Sequence, residues 1–359
     1  MPTRAGPPLG TRAPSATAVH SAPILLPVSG PPIEDGAIAV RRDRVIAVGP
    51  RGEIEAACPG TDPVRWPGMI VPGFVDAHVR LGSDPVPAHL HGVTAIAGVA
   101  ADLDDAGDAA FTDGTGPHGV TYLETCCASE RLWEAGERDR LITAIREVNH
   151  HGSIGIAAHS PDPLVMEDLA ILSRTFGLRL LVELGRRTAG SLDEVGALGD
   201  GTHVVLSAPL SEADRKLLRV RGTAAALTSP FAAEGLLDGQ NPIAFATRTG
   251  GDPLAVARLL GHALPRDPGL DRLLVEALTL GGARALGLAT GPGRLGCLEP
   301  GSRADFAVFM VDAAPATACT ALLHDGPGRC LATFTAGRPS WHRTALRETT
   351  GPTDATATG

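Results

Sequence analysis

The residues of this 359-residue chain that could do chemistry are few and far apart. Asp76, His78 and Arg80 lie together in VPGFVDAHVRLG. Glu124, Cys126 and Cys127 share TYLETCC, His159 sits in AHSPDP and Glu183 in RLLVEL. Ser207, Ser229 and Arg248 follow singly. Carboxylates beside an imidazole suit general acid–base work. Two guanidiniums suit a planar carboxylate or phosphate, which each can grip through paired N–H donors. Vicinal thiols near histidines suit zinc. None of this chemistry is available unless a fold gathers the positions at one place.

The pattern between them supplies such a fold. Eight short aliphatic runs, MIVPGFVDA, VTAIAGV, VTYLE, SIGIAA, RLLVEL, HVVLSA, TAAALTS and PIAFAT, alternate with helical patterns. The helices are expected at 130–148, 163–176, 192–198, 211–220, 253–263 and 270–286. Alternation of this kind implies a parallel sheet, and eight units over 69–287 close a (β/α)8 barrel at the short end of its usual range. A doubly wound open sheet is the alternative, but it needs a glycine-rich phosphate turn after the first strand, and DAHVRLGSD is not one. In a barrel the C-terminal strand ends form the mouth, where every residue named above falls. Short strand-like runs flank the barrel at both ends, APILLPV, GAIAVRRD and RVIAVG before it, ADFAVFMVD and LATFTAGRPSWHR after it. They predict a composite β-sandwich built from 19–68 and 288–343. Residues 1–18 and 344–359, rich in Pro, Gly, Thr and Ala without apolar periodicity, are expected to be disordered tails.

Composition narrows the function classes. A hydrophobic content of 43% with a formal charge of −9 describes a mildly acidic globular protein and excludes the basic patch that nucleic acid requires. Lys216 is the only lysine, which fits the codon bias of a GC-rich genome better than any functional use of arginine. The six cysteines show no CxxC spacing, so reduced thiols and a cytoplasmic location are expected. The N-terminal apolar run is short and broken by proline, a poor signal peptide, and no stretch reaches the ~20 apolar residues of a membrane span.

Two segments carry a resemblance. PGFVDAHVRL resembles the PGFVDAHxHL motif of the amidohydrolase superfamily, and GCLEPGSRADFAVFMVD resembles its late GxLxPGxxADxxxxD segment. GVTAIAGV and EALTLGGARALGL are similar to further family segments, the second nearest to imidazolonepropionase-like and cytosine-deaminase-like members. The resemblance covers nearly the whole chain. It implies a barrel with a composite sandwich, and hydrolysis of non-peptide carbon–nitrogen bonds in small cyclic amides or amidines. It also implies one or two divalent metals held by a His-x-His pair on strand one, histidines on strands five and six, and an aspartate on strand eight. By that alignment His78 is the only retained ligand position. Arg80 stands at the second histidine, Glu183 at the strand-five histidine, Leu206 or Ser207 at the strand-six histidine, and Arg248 at the aspartate.

A guanidinium has no lone pair to give a metal and brings positive charge where a dication would sit. Two arginines about 4 Å apart would repel by ~4 kcal/mol at an effective dielectric of about 20, so they need a carboxylate between them. The expectation is an ion cluster of Arg80, Glu183 and Arg248, with Asp76 or Glu124 as second counter-charge, and no metal. Arg80 and Arg248 are either a clamp for an anionic ligand or a structural ion pair, and the sequence leaves both open. His159 resembles a substrate-contacting PHAP histidine, and Glu124 joins it as a candidate substrate-binding residue. A relocated zinc or other divalent site around His78, Glu124, Cys126, Cys127 and His159 is disfavoured, because neighbouring cysteines on a strand point opposite ways. His150 and His151 read as a helix C-terminus before Gly152, and Cys297 with Glu299 as a turn of the β-module. Two functions follow. In one, an enzyme uses Glu183 or His78 as general base and Arg80 and Arg248 to stabilise negative charge. In the other, a metal-free pseudoenzyme binds an anionic metabolite or partner protein through Arg80 and Arg248. A homodimer is the expected assembly.

Overall fold

The computed structural model describes residues 16–82, 88–100, 117–148, 153–185, 187–238, 240–264 and 269–343. Five strands come first: β1 Thr17–Leu25, β2 Ile33–Arg41, β3 Arg44–Pro50, β4 Val64–Arg65 and β5 Met69–Pro72. Eight more build the barrel: β6 Phe74–Leu81, β7 Val93–Ala100, β8 His118–Thr125, β9 Ile154–Ala158, β10 Arg179–Leu184, β11 Thr202–Leu206, β12 Ala224–Leu227 and β13 Ile243–Phe245. Strands β14 Phe306–Phe309, β15 Cys330–Thr335 and β16 Arg338–His342 end the described chain.

Strands β6 to β13 are parallel and closed, β13 pairing with β6 through Phe245 and Asp76. The other strands form a sheet of order β16-β15-β14-β5-β1-β2-β3, with β4 beside β1. Its two ends curl together. Ala304 N donates to Asp43 O at 2.9 Å and Gly337 N to Ala304 O at 2.8 Å, so the β2–β3 and β15–β16 turns meet. Leu25, Ile38, Val40, Ile70, Phe306, Val308 and Phe334 fill the sandwich core.

Three sequence expectations shift. The run MIVPGFVDA is two strands, because β5 belongs to the sandwich and only β6 to the barrel. The break falls at Gly73, where a Cβ would lie 2.1 Å from Thr94 Oγ1, too close for any side chain. Strand β1 begins at Thr17, inside the stretch expected as tail, while 1–15 and 344–359 lie outside the described residues. The expected helix over 130–148 is interrupted by a wide turn at Trp133–Glu137 with Gly136 at φ 145°, a conformation that glycine alone adopts readily. His150 and His151 lie outside the described residues.

The remaining helices follow their local signals. Asp162 and Asp252 cap Pro163–Phe176 and Pro253–Ala263, each accepting the backbone N–H two residues on, with proline at the first helical position. Gly177 and Gly222 end helices Pro163–Phe176 and Glu212–Arg221 at φ 65° and 68°.

Alternation along the strands sets the inner wall. Ala95, Ala97, Val120, Tyr122, Ala157, Leu181, Val205, Ala226, Ala244 and Ala246 form one cluster inside the barrel. Ile96, Leu123, Ile156, Val182, Val204, Leu206, Leu227 and Phe245 pack outward into the helices. Extending the inner phase to the strand ends points Glu124, His159, Glu183, Ser207, Thr228 and Arg248 into the mouth.

Candidate barrel-mouth site

Two guanidinium–carboxylate pairs face each other in the mouth. Arg80 meets Glu124 bidentately, Nη1 to Oε2 at 3.1 Å and Nη2 to Oε1 at 2.7 Å. Arg248 Nη2 lies 2.9 Å from Glu183 Oε1. Between the pairs lie two histidines. His78 Nδ1 is 4.0 Å from Glu183 Oε1, and His159 Nε2 is 3.4 Å from Glu124 Oε1. Both ring nitrogens of His78 and Nε2 of His159 are buried without a hydrogen-bond partner. The arginines reach outward, with side chains 52% and 39% exposed, above a His78 ring that is 1% exposed.

Burial sets the charge states. It lowers His78 to about 4, the pull of Glu183 being outweighed with help from Arg248, Arg80 and His159. It lowers His159 in the same way, against Glu124 and Glu183. Both imidazoles are therefore neutral near pH 7. The Glu124 hydrogen bond raises Arg80 further. Two cations, two anions and two neutral rings sum to no net charge.

The expected single cluster is thus two pairs, with Glu124 as the second counter-charge. Asp76 is a fastener instead. It accepts from His78 N at 3.2 Å, from Thr247 N at 3.0 Å and from the Thr247 hydroxyl, tying β6 to the end of β13. Burial raises it to about 6. Ser207 is exposed on the inner phase, whereas Leu206 is buried among the helices, so Ser207 holds the strand-six position. Ser229 points away from the inner phase, which Thr228 takes, its hydroxyl donating to Leu206 O at 2.7 Å. Cys126 is exposed, while Cys127 is buried and donates to Ser129 O at 3.4 Å. Glu299 pairs with Arg294 at 2.5 Å in the β-module.

Arg248 has φ 65°, the left-handed region that side chains with a Cβ seldom adopt. Its backbone is held there from both sides, Arg248 N donating to His78 O at 2.9 Å and Arg80 N donating to Arg248 O at 3.0 Å. Strain maintained at a strand end is a common mark of a functional position.

No family model matches the chain, and no curated protein matches its sequence. Solved structures do match. An adenosine deaminase from Xanthomonas campestris with bound zinc superposes with TM-score 0.69 and 17% identity, over 92% of this chain and 93% of that one. Guanine deaminase of E. coli gives TM-score 0.73 and 16% identity, over 91% and 99%. A variant of the atrazine chlorohydrolase of Arthrobacter aurescens, complexed with zinc and atraton, gives 0.72 and 17%, over 90% and 94%. The chain has the amidohydrolase fold. The barrel, the composite sandwich and their order along the chain all agree with it.

Zinc is bound in two of those structures of the amidohydrolase fold, so the donors here must be tested against a metal. They do not fit one. Zinc takes lone pairs from nitrogen, sulfur or oxygen in a tetrahedron, and here two guanidiniums, which have none to give, occupy the carboxylates of the mouth, Arg80 that of Glu124 and Arg248 that of Glu183. Among the described residues no group of three or more His, Cys, Asp or Glu is placed to hold a metal ion.

Sequence reasoning missed the polar network beneath the mouth. His203 opens β11 on the inner phase, fully buried, with Nε2 3.0 Å from Ala77 O and Nδ1 3.5 Å from Tyr122 Oη. A histidine at an inward position of an otherwise aliphatic strand, THVVL, was the available signal.

Proposed function

We propose that the barrel mouth is a metal-free site for a small anionic metabolite, held by Arg80 and Arg248. The observation that carries this reading is the state of Arg248. Among the described residues its guanidinium pairs only with Glu183, through Nη2, and the side chain is 39% exposed at an open mouth. Its other N–H groups are available to a carboxylate or phosphate, which a planar guanidinium binds in paired fashion. Below it, the two unpartnered nitrogens of His78 offer a neutral donor and acceptor and the unpartnered Nε2 of His159 one more polar group, buried groups that gain by meeting a ligand.

The test has two parts. Elemental analysis of protein purified without chelators, from cells grown with added zinc, manganese and iron, is expected to find metal well below one equivalent per chain. Stoichiometric metal overturns the reading. Thermal shift with a panel of small carboxylates and inorganic phosphate is expected to show saturable stabilisation. In Arg248→Ala the affinity should fall about 10- to 150-fold, the worth of a charge-assisted hydrogen bond of ~1.5–3 kcal/mol.

The His78–Glu183 pair favours a second reading, catalysis on a small ring compound. A neutral imidazole 4.0 Å from a carboxylate can accept a proton, and the two arginines would stabilise negative charge developing above it. Without a metal-bound hydroxide this suits proton transfer or elimination better than hydrolysis. Turnover of any ligand found by the panel, lost in Glu183→Gln with binding retained, would establish it. Binding without turnover would leave the first reading alone.

A further inference from the structure

The mouth depends on an irregularity in β6. Val75 and Ala77 lie on the inner wall, so strict alternation would turn His78 and Arg80 outward, toward the helices. They face inward because the pairing with β7 slips. Asp76 is opposite Ile96 and Val79 opposite Gly98, so Ala77 and His78 together face the single residue Ala97. This two-against-one bulge reverses the phase of the strand, and every residue beyond it changes face. On the other side the count stays even, Asp76 opposite Phe245 and Val79 opposite Arg248.

A bulge rotates peptide groups out of the sheet, and the freed carbonyl needs a donor. Here the donor comes from the opposite wall. His203 on β11, three strands away around the barrel, reaches across the interior to place Nε2 3.0 Å from Ala77 O. A carbonyl can only accept, so Nε2 carries the proton and Nδ1 is left as an acceptor. Tyr122 supplies the matching hydroxyl at 3.5 Å. The Arg179 guanidinium lies beside the Tyr122 phenol and opposes the burial that pushes it up to about 12. Arg179 is itself anchored, Nε to Ala285 O and Nη2 to Asp200 O, both at 2.9 Å. Donation runs one way along the series, from phenol to imidazole to the Ala77 carbonyl, with the anchored guanidinium beside the phenol.

Two glycines make room for it. A Cβ at Gly155 would lie 2.5 Å from Tyr122 Cε1, and one at Gly287 would lie 2.6 Å from Arg179 Nη1. In a barrel whose interior is otherwise filled by alanine, valine and leucine, a fully hydrogen-bonded polar series is costly to bury. What it secures is the inward peptide at Ala77.

We propose that His203, oriented by Tyr122 and Arg179, is a positioning residue that pins the β6 bulge and thereby turns His78 and Arg80 into the mouth. The inference rests on the proposed site only in taking His78 and Arg80 as its working groups, and its test needs no ligand. Hydrogen exchange followed by mass spectrometry reads the peptides over 74–82 and 245–250, whose amides at Arg80 and Arg248 are bonded across β6 and β13. In His203→Leu exchange there should rise by about tenfold or more, the effect of one lost buried hydrogen bond. The sandwich strands β1 and β2 should keep their wild-type rates. His203→Gln, which keeps an N–H donor of comparable reach, should restore most of the protection. Tyr122→Phe should raise exchange in the same two segments by a smaller factor. Wild-type exchange in those segments in His203→Leu overturns the inference, as does uniform acceleration that reaches the sandwich and is not relieved by Gln. If His203→Leu does not fold, Tyr122→Phe decides alone. Local acceleration supports the inference and wild-type rates overturn it. Failure of this test would leave the metal and anion measurements untouched.

Discussion

Asp305→Ala is expected to destabilise the protein by about 3–5 kcal/mol, the cost of removing one partner from a buried ionic cluster. The aspartate of the ADF segment is 3% exposed where the sandwich meets the barrel. One oxygen accepts from Ala336 N at 2.7 Å and lies 3.5 Å from Arg303 Nε, and the other lies 2.9 Å from His118 Nε2 at the start of β8. Thr94 of β7 lies beside the carboxyl and helps to offset the burial that raises it. The backbone of the same residue accepts from Gly73 N at 3.0 Å, at the crossing from β5 to β6. One side chain therefore joins the β15–β16 turn of the sandwich to the N-terminal rims of two barrel strands. Alanine would strand the Ala336 N–H and the Arg303 charge together. Asp305→Asn keeps an acceptor for the amide and should lose only about 1–2 kcal/mol. Urea unfolding of the three proteins checks this. An Asp305→Ala midpoint within the equivalent of about 0.5 kcal/mol of wild type, the scatter of ordinary surface substitutions, would sink it.

The same residue shows what the sequence made legible and what it hid. The ADF segment marked the sandwich, but its aspartate could not be told from a catalytic one, since a carboxylate that fastens two domains and one that moves protons are the same letter. Asp76 and Glu124 repeat the lesson. Both follow aliphatic runs, and only coordinates show that Asp76 is consumed by Thr247 and His78 N while Glu124 meets Arg80. The barrel itself was readable because eight βα units repeat one period, and a repeated pattern tolerates local error. MIVPGFVDA was misjudged as a single strand because the domain crossing at Gly73 lies inside a continuous apolar run, with no change of texture to mark it. The β6 bulge was invisible for a related reason. It depends on pairing with β7, and nothing within VDAHVRL records that two residues will face one. The ends of strands five and six are regular, so parity alone carries Glu183 and Ser207 to the inner wall, whereas Arg248 lies past the end of β13 with φ 65°, a turn that nothing in PIAFATRTGG records.

Acid should unfold this protein through its buried neutral histidines, His20 and His203 together with His78 and His118. His20, 6% exposed in the sandwich core, accepts the Trp66 indole N–H at Nδ1 over 3.2 Å and packs on Phe306 and Phe334 at 5.0 and 4.9 Å. Burial brings it down to about 4. His203 accepts from Tyr122 and is lowered by burial, with help from Arg179, to about 3. Each ring is an acceptor in its bond, so each must stay neutral to keep it. In the unfolded chain both titrate near the usual 6.5. Their folded values lie below that, so the stability they contribute is fully present above pH 6.5 and is lost as the pH falls toward 4 and 3. The opposite sign belongs to Asp76, raised to about 6, whose burial is relieved by protonation as the pH falls from 6 toward its unfolded value near 3.9. At pH 5 unfolding takes up four protons, at His20, His78, His118 and His203, and releases two, at Asp76 and the equally raised Asp305, a net uptake of two to which the lowered His89 and His159 add. Linkage then makes stability fall by about 2.7 kcal/mol or more for each unit of pH lost. Against a total of roughly 5–15 kcal/mol, a few units of acidification bring the fold to its limit. Urea midpoints at pH 7.5, 6, 5 and 4.5 measure the slope directly. His20→Phe, which fills the aromatic cluster without a titrating nitrogen, should start less stable at pH 7.5, for want of an acceptor for Trp66, and then fall with a slope shallower than wild type by about one proton down to pH 4.5. A wild-type curve that stays level or rises between pH 6 and 4.5 would mean that these rings are not held neutral, and His203 would then donate from Nδ1 to the Tyr122 hydroxyl as well as from Nε2 to the Ala77 carbonyl.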